Sequence, residues 1–152
     1  MGRIEKSVEI GASPERVWEI LALDRLPEWM DGWKDAEYIS EVRKAEDKYR
    51  VGALAYITEI KHSMTTRYDF EITESLENEK VTFRSKGTGG GRVAMTIGYI
   101  LESVEEGTKL TYAMDYEMPW GILGKFLDRL GGSSGEKILE KELQKLKSIL
   151  ER

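Results

Sequence analysis

The sequence predicts an α+β fold in which an antiparallel sheet packs against one long C-terminal helix. Three observations predict it. From Ala36 to Met118 the chain alternates apolar and polar residues in short segments, with no stretch of helical periodicity. Those segments are joined by short turns, which only antiparallel neighbours permit. Beyond Pro119 the apolar residues recur at helical spacing to the end of the chain.

Taken in order, Ile4, Val8 and Ile10 alternate with Glu5, Ser7 and Glu9, the two-residue period of a half-buried strand. Ser13-Pro14-Glu15-Arg16 then starts a helix. Ser13 can accept from a free N–H, Pro14 suits the first helical position, and Glu15 and Glu19 sit near the positive end of the dipole. Val17, Trp18, Ile20 and Leu21 form its buried face. Asp24 is expected to cap a second short helix carrying Leu26, Trp29 and Met30, closed by Gly32. Two short helices thus separate the first two strands. Strands are expected near 36–44, 53–61, 64–75, 80–86, 92–103 and 108–118. Gly52, Glu77-Asn78-Glu79, Gly87 to Gly91 and Glu105-Glu106-Gly107 punctuate them. In the final helix, Leu123, Phe126, Leu127 and Leu130 are followed by Ile138, Leu139, Leu143, Leu146, Ile149 and Leu150. Glu140, Lys141, Gln144, Lys145, Lys147 and Ser148 lie on the opposite face. Gly131-Gly132-Ser133-Ser134-Gly135 is expected to break or kink that helix between its two halves.

Composition narrows the function. A chain of 152 residues is one domain's worth, 1–152, and its mass corresponds to roughly 7,900 Å² exposed when folded against about 25,000 Å² unfolded. A sizeable core is therefore possible. The net charge of −5, with signs interspersed, does not suggest a nucleic-acid or anionic-membrane surface. No apolar run reaches the length of a membrane span, and the N-terminus lacks the apolar core of a signal peptide. A cytoplasmic protein is expected. The absence of cysteine excludes disulfides and thiolate chemistry, and the single histidine, His62, excludes His-rich metal sites. No cofactor or metal is expected. Abundant Lys and Glu beside one Asn and one Gln resemble thermophilic composition.

Strand parity sorts the side chains into two faces. One face is read as Leu54, Tyr56, Thr58 and Ile60, then Met64, Thr66, Tyr68, Phe70 and Ile72, then Val93, Met95, Ile97, Tyr99 and Leu101, then Leu110, Tyr112, Met114, Tyr116 and Met118. Arg67, Asp69, Glu71, Asp115 and Glu117 lie opposite. Five of the seven tyrosines and four of the six methionines fall on this one face. A tightly filled core favours Leu, Ile and Val. A buried phenol left without a partner costs about 1–3 kcal/mol, and methionine adapts to irregular apolar sites. The expectation is a cavity walled by Tyr56, Tyr68, Phe70, Met95, Ile97, Tyr99, Tyr112, Met114 and Tyr116, and covered by Phe126, Leu127, Leu130 and Ser134. The competing expectation is a filled core with hydroxyls at the strand ends in solvent.

The segment Ile4 to Val42, with S-P-E-R-V-W at Ser13 to Trp18 and D-R-L-P-E-W at Asp24 to Trp29, resembles the opening of a known family. That family is the polyketide cyclase/dehydrase and lipid-transfer group of the START/Bet v1-like (SRPBCC) superfamily. Val51-Gly52, Phe70 to Glu74, Glu106 to Thr111 and the L-x-x-L-K at Leu143 to Lys147 are similar to its later landmarks, so the resemblance covers the whole chain. It implies the helix-grip fold: a seven-stranded antiparallel sheet wrapped around the C-terminal helix, with a cavity between them for a lipid, polyketide or isoprenoid. The glycine–serine break at 131–135 departs from the pattern and could widen the cavity or its mouth.

Other motifs read as structural. Gly131 to Gly135 matches G-x-S-x-G around Ser133, but no strand precedes it and no histidine follows it. Gly87 to Gly91 feeds a strand instead of a helix, so it reads as a hairpin tip that could gate the cavity, not as a phosphate loop. His62 reads as a solvated turn residue. Trp18 reads as core, while Trp29, Trp33 and Trp120 stand where a ligand could touch one of them. Three functions follow. The first is binding or carriage of a hydrophobic small molecule without catalysis, the second a cyclase, aromatase or dehydratase in the same cavity. The third is a co-chaperone-like module acting through Arg67, Asp69 and Glu71. The first is preferred because no inward carboxylate or histidine is visible on the sheet face, so no catalytic residue is assigned.

Overall fold

The computed structural model describes residues 2–61, 63–85, 94–117 and 133–152. Expectations resting on His62, on Gly87 to Gly91, on Val93 and Met118, and on Trp120, Phe126, Leu127 and Leu130 lie outside them. The described elements are β1 (Gly2–Ile10), α1 (Pro14–Ile20), a 3₁₀ turn (Leu23–Glu28), β2 (Trp33–Tyr38), a second 3₁₀ turn (Ala45–Lys48), β3 (Leu54–Lys61), β4 (Met64–Leu76), β5 (Lys80–Ser85), β6 (Ala94–Val104), β7 (Gly107–Glu117) and α2 (Ser133–Leu150).

The strands form one seven-stranded antiparallel sheet in the order β1-β7-β6-β5-β4-β3-β2. β2 to β7 run as a meander, and β1 returns to pair with β7 from Gly2↔Tyr116 to Ile10↔Thr108. The chain therefore crosses from one edge of the sheet to the other through α1 and the first 3₁₀ turn. This is the helix-grip architecture. α1 begins as its sequence dictates, with Ser13 Oγ accepting the Arg16 N–H at 3.3 Å and Pro14 in the first turn. α2 lies along β1, held by Lys147 Nζ donating to the Glu9 carbonyl at 2.7 Å and by the Gly11 N–H donating to Glu151 at 2.7 Å.

Three expectations are corrected. β2 runs from Trp33 to Tyr38 instead of 36–44. Past Tyr38 the chain turns instead, because the Asp47 carboxylate takes the N–H groups of Arg43 and Lys44 at 3.0 and 3.2 Å and folds 43–48 back on itself. Asp24 caps nothing. The first 3₁₀ turn follows Ala22, whose side chain makes no cap bond, and Asp24 pairs with Lys48 at 2.8 Å.

The third correction is the parity of β3. Its inward residues are Ala53, Ala55 and Ile57, all buried, while Leu54, Tyr56 and Thr58 are half-buried on the outer face and Ile60 is exposed. The reason is space. Ala55 lies opposite Phe70 and Ile57 opposite Tyr68, so large rings on β4 already fill the room over β3 and leave it small residues. Tyr56, opposite Asp69, instead carries the Arg67 guanidinium over its ring at 3.9 Å on the outside of the sheet.

Candidate functional site

Among the described residues, the inner face of the sheet is closed at one end and less covered at the other, here called its half-open end. At the closed end α1 and the first 3₁₀ turn drop Val17, Ile20, Leu21, Leu23 and Leu26 onto the sheet, each 1% exposed or less. Trp29 sits among them, its Nε1–H donating to the Ile20 carbonyl at 3.4 Å. Below it runs a chain of rings. Trp33 meets Phe70 at 5.4 Å between centroids, Phe70 meets Phe83 at 5.3 Å, Phe83 meets Tyr99 at 5.7 Å, and Tyr99 meets Tyr112 at 5.1 Å. Trp29 packs on Tyr99 and Tyr112 at 5.6 and 6.0 Å. These tilted and edge-on contacts are the arrangements aromatic quadrupoles favour. Trp29 and Trp33 are thus core residues here, as is Trp18, which stacks on Tyr49 at 4.9 Å.

Two phenols lie in that sealed end with no exposure, and the chain itself satisfies them. Tyr99 donates to Met30 Sδ at 3.5 Å. Tyr112 faces the same sulfur at 3.7 Å and the Glu142 carboxylate at 3.3 Å. Glu142 is 4% exposed, and its other oxygen accepts the Asp31 N–H at 2.7 Å. Burial, followed by surrounding negative charge to which Glu142 contributes, pushes both phenols well above the ordinary tyrosine pKa. They are protonated donors at neutral pH.

Toward the other end of the strands the same face loosens. Tyr68, Met95, Met114 and Ile4 are half-buried and pack against the core, flanked by the buried Ile97 and Tyr116. The register aligns them across the sheet as Ile4↔Met114 and Met95↔Tyr116. The corrected parity of β3 turns Glu59 inward, opposite Thr66 and next to Tyr68. Burial first, and then the Glu59 carboxylate, push the Tyr68 phenol up to about 12. On the β1 side Lys6 lies inward opposite Tyr112 and reaches Glu136 of α2 at 3.6 Å.

Of the expected wall residues, Tyr68, Phe70, Met95, Ile97, Tyr99, Tyr112, Met114 and Tyr116 share this face, and Tyr56 does not. Ser134 falls in the first turn of α2. Clefts bounded by described residues lie elsewhere, one of about 650 Å³ around Arg43, Asp47 and Arg50 and one of about 570 Å³ between α1 and the β4–β5 turn. Among the described residues no three acidic or histidine side chains converge as metal ligands would.

Two inward carboxylates were missed. Glu59 was lost with the parity of β3. Glu142 had a readable signal, since it stands three residues after Leu139 and four before Leu146, on the apolar stripe of α2. A charge at such a position needs partners, and Tyr112 and Asp31 are among them.

A family model described as polyketide cyclase / dehydrase and lipid transport matches residues 1–151. None of the curated proteins matches the chain. Among solved structures, the chain is similar to a START superfamily protein from Mycobacterium smegmatis, with a TM-score of 0.75 at 16% identity over 98% of this chain and 97% of that one. It is also similar to Ara h 8.0201, with a TM-score of 0.63 at 11% identity over 98% and 97% of the two chains. The di-domain ARO/CYC BexL from the BE-7585A biosynthetic pathway aligns with a TM-score of 0.69 at 15% identity, covering 97% of this chain and 46% of that one. At such identities these likenesses concern the fold.

Proposed function

The chain belongs to the polyketide cyclase/dehydrase and lipid transport family, in the START/Bet v1 superfamily, and on that premise we propose that it binds a hydrophobic small molecule against the half-open end of the sheet's inner face. The observation that carries this reading is the gradient along one face. Trp29, Tyr99 and Tyr112 are each 1% exposed or less, whereas Tyr68, Met95, Met114 and Ile4 continue the same apolar surface and are only partly buried. A ligand that covered them would remove apolar area from water, worth about 25 cal/mol per Å². The thioethers adapt to its shape and the Tyr68 hydroxyl orients it.

Lipid, polyketide and isoprenoid skeletons all fit this chemistry. Native mass spectrometry of the purified protein tests the reading, with a retained lipophilic molecule as the expected result. Met95→Glu and Met114→Glu, which place charge on that surface, should abolish retention while the sealed end keeps the protein folded. Loss of retention in neither variant would overturn the site.

A cyclase- or dehydratase-type enzyme is the second reading, and the two inward carboxylates favour it. With them the reason for setting catalysis aside disappears. At the half-open end the Tyr68 hydroxyl, held protonated by burial and hydrogen-bonded to Glu59, forms with it a phenol–carboxylate pair through which a substrate proton could move. Turnover of a polyketide-like substrate that falls in Tyr68→Phe and Glu59→Gln while binding persists would support it. Equal loss of binding and turnover would not.

A further inference from the structure

The cleft of about 570 Å³ between α1 and the β4–β5 turn lies outside the inner face and has a chemistry of its own. Glu15, Trp18 and Glu19 stand three and four residues apart on α1, so one side of that helix supplies all three. Tyr49 and Val51, just beyond the second 3₁₀ turn, line it as well, as do Glu46 and Glu77. Trp18 and Tyr49 stack at 4.9 Å between centroids. The Tyr49 hydroxyl shares its proton between the Trp18 and Glu19 carbonyl oxygens, each at 3.1 Å. The half-buried Tyr49 ring is thus held in place by the fold itself, and the exposed Val51 adds apolar surface beside it.

The charge of this cleft is one-sided. Four glutamates and one arginine line it. Arg50 is engaged by Asp47 at 2.6 Å and Glu46 by Lys44 at 3.6 Å, while Glu15, Glu19 and Glu77 form no ion pair among the described residues. The negative field reaches the ring. Burial first, then Asp24 and Glu19, lift the Tyr49 phenol to about 12, and Arg25, itself paired with Glu28 at 2.8 Å, opposes them only in part. The face of an aromatic ring is the negative pole of its quadrupole, so ring and carboxylates favour the same charge. A cation gains from both, an anion is repelled by both, and a neutral body gains the apolar contact alone. The volume is that of a small-molecule site, about 300–1,000 Å³. We propose that this cleft is a second binding site, separate from the inner face, for a small organic cation: a quaternary or protonated amine carried on an apolar body. Tyr49 and Val51 contact the body and the charge, and Glu15, Glu19 and Glu77 set the preference for a cation.

The test titrates the isotope-labelled protein with benzyltrimethylammonium, benzyl alcohol and phenylacetate at neutral pH and low salt, and follows the backbone amides by nuclear magnetic resonance. Benzyltrimethylammonium should shift amides of α1, of the segment around Tyr49 and of the β4–β5 turn. It should bind at least about fivefold more tightly than benzyl alcohol, the scale of one cation–π contact with a nearby carboxylate, and phenylacetate should bind most weakly. The preference should shrink as salt is raised, because the three carboxylates are exposed. Glu15→Gln combined with Glu77→Gln, and separately Glu19→Gln, should each narrow the gap between cation and alcohol at an unaltered melting temperature. Tyr49→Leu should weaken the cation more than the alcohol. Equal affinity for cation and alcohol, a gap that the glutamine variants leave unchanged, or shifts confined to residues away from this cleft would overturn the proposal. None of these outcomes bears on retention of a lipophilic molecule at the inner face, which Met95→Glu and Met114→Glu test on their own.

Discussion

The Tyr112 hydroxyl reaches the Glu142 carboxylate at 3.3 Å in a region that neither residue shares with solvent. Because the other Glu142 oxygen takes the Asp31 N–H at 2.7 Å, one side chain of α2 ties the turn beyond the first 3₁₀ segment to the centre of β7. The carboxylate joins three parts of the chain that are distant in sequence.

Removing it should therefore cost more than its size suggests. Glu142→Leu leaves the Asp31 N–H and the Tyr112 O–H short of an acceptor, and an unpaired buried polar group costs about 1–3 kcal/mol. A loss of about 2–4 kcal/mol is expected, read from the urea midpoint. Glu142→Gln keeps an acceptor oxygen and should lose about half as much. A midpoint in Glu142→Leu equal to that of the unaltered protein would mean the network contributes nothing net.

The raised phenols predict alkaline behaviour. Tyr99 and Tyr112 are held well above the ordinary value by burial, so the fold favours their protonated form. Their contribution is complete below the unfolded value of about 10 and is lost as pH rises beyond it, because the unfolded chain then releases protons the native state keeps. In a spectrophotometric titration Tyr49 and Tyr68 should ionise near the values of about 12 to which burial lifts them. Tyr99 and Tyr112 should ionise only as near-ultraviolet dichroism collapses. Ionisation of all seven tyrosines before unfolding would contradict this.

Acid stability should depend on Asp47. The Arg43 N–H, then that of Lys44 and the nearby Arg50 guanidinium, hold its carboxyl below the usual carboxylate range. Its stabilisation is full above the unfolded pKa of about 3.9 and disappears as pH falls through the lower folded value. Asp47→Asn should lower stability at neutral pH and flatten the dependence of stability on pH in that acid window. Parallel curves for the two proteins would remove Asp47 from the account.

Two glycines separate backbone strain from collision. Gly107 opens β7 with φ +153°, and a Cβ there would collide with the Ile10 carbonyl oxygen. Gly52 has φ +95° and open space around it. Gly52→Ala should cost about 1–2 kcal/mol, from its conformation alone. Gly107→Ala must also move β1 off the start of β7, and should cost more than about 3 kcal/mol by chemical denaturation. Similar losses in both variants would show that β1 yields easily at Ile10.

Local pattern accounts for much of what the sequence determined. Alternation and turn residues placed all seven strands to within a few residues except at β2, the Ser13 cap and Pro14 start of α1 were legible, and the apolar stripe of α2 runs as expected from Ile138 through Leu150. These features are decided by residues within a few positions of one another, where backbone geometry leaves few choices. The inner face of β4, β6 and β7 was legible for the same reason, since only one parity of each strand is apolar. β3 was not, because both of its parities are apolar between Leu54 and Ile57. Which of them turns inward depends on the volume of Phe70 and Tyr68 across the strand pair. Likewise the placement of the Glu142 carboxylate depends on long-range contacts. Glu142 meets Tyr112 and Asp31 from 30 and 111 residues away, and no periodicity within a segment encodes a partner at that distance. Packing volume and the need to satisfy buried charge, both properties of the assembled chain, decided where the polar chemistry of the inner face lies.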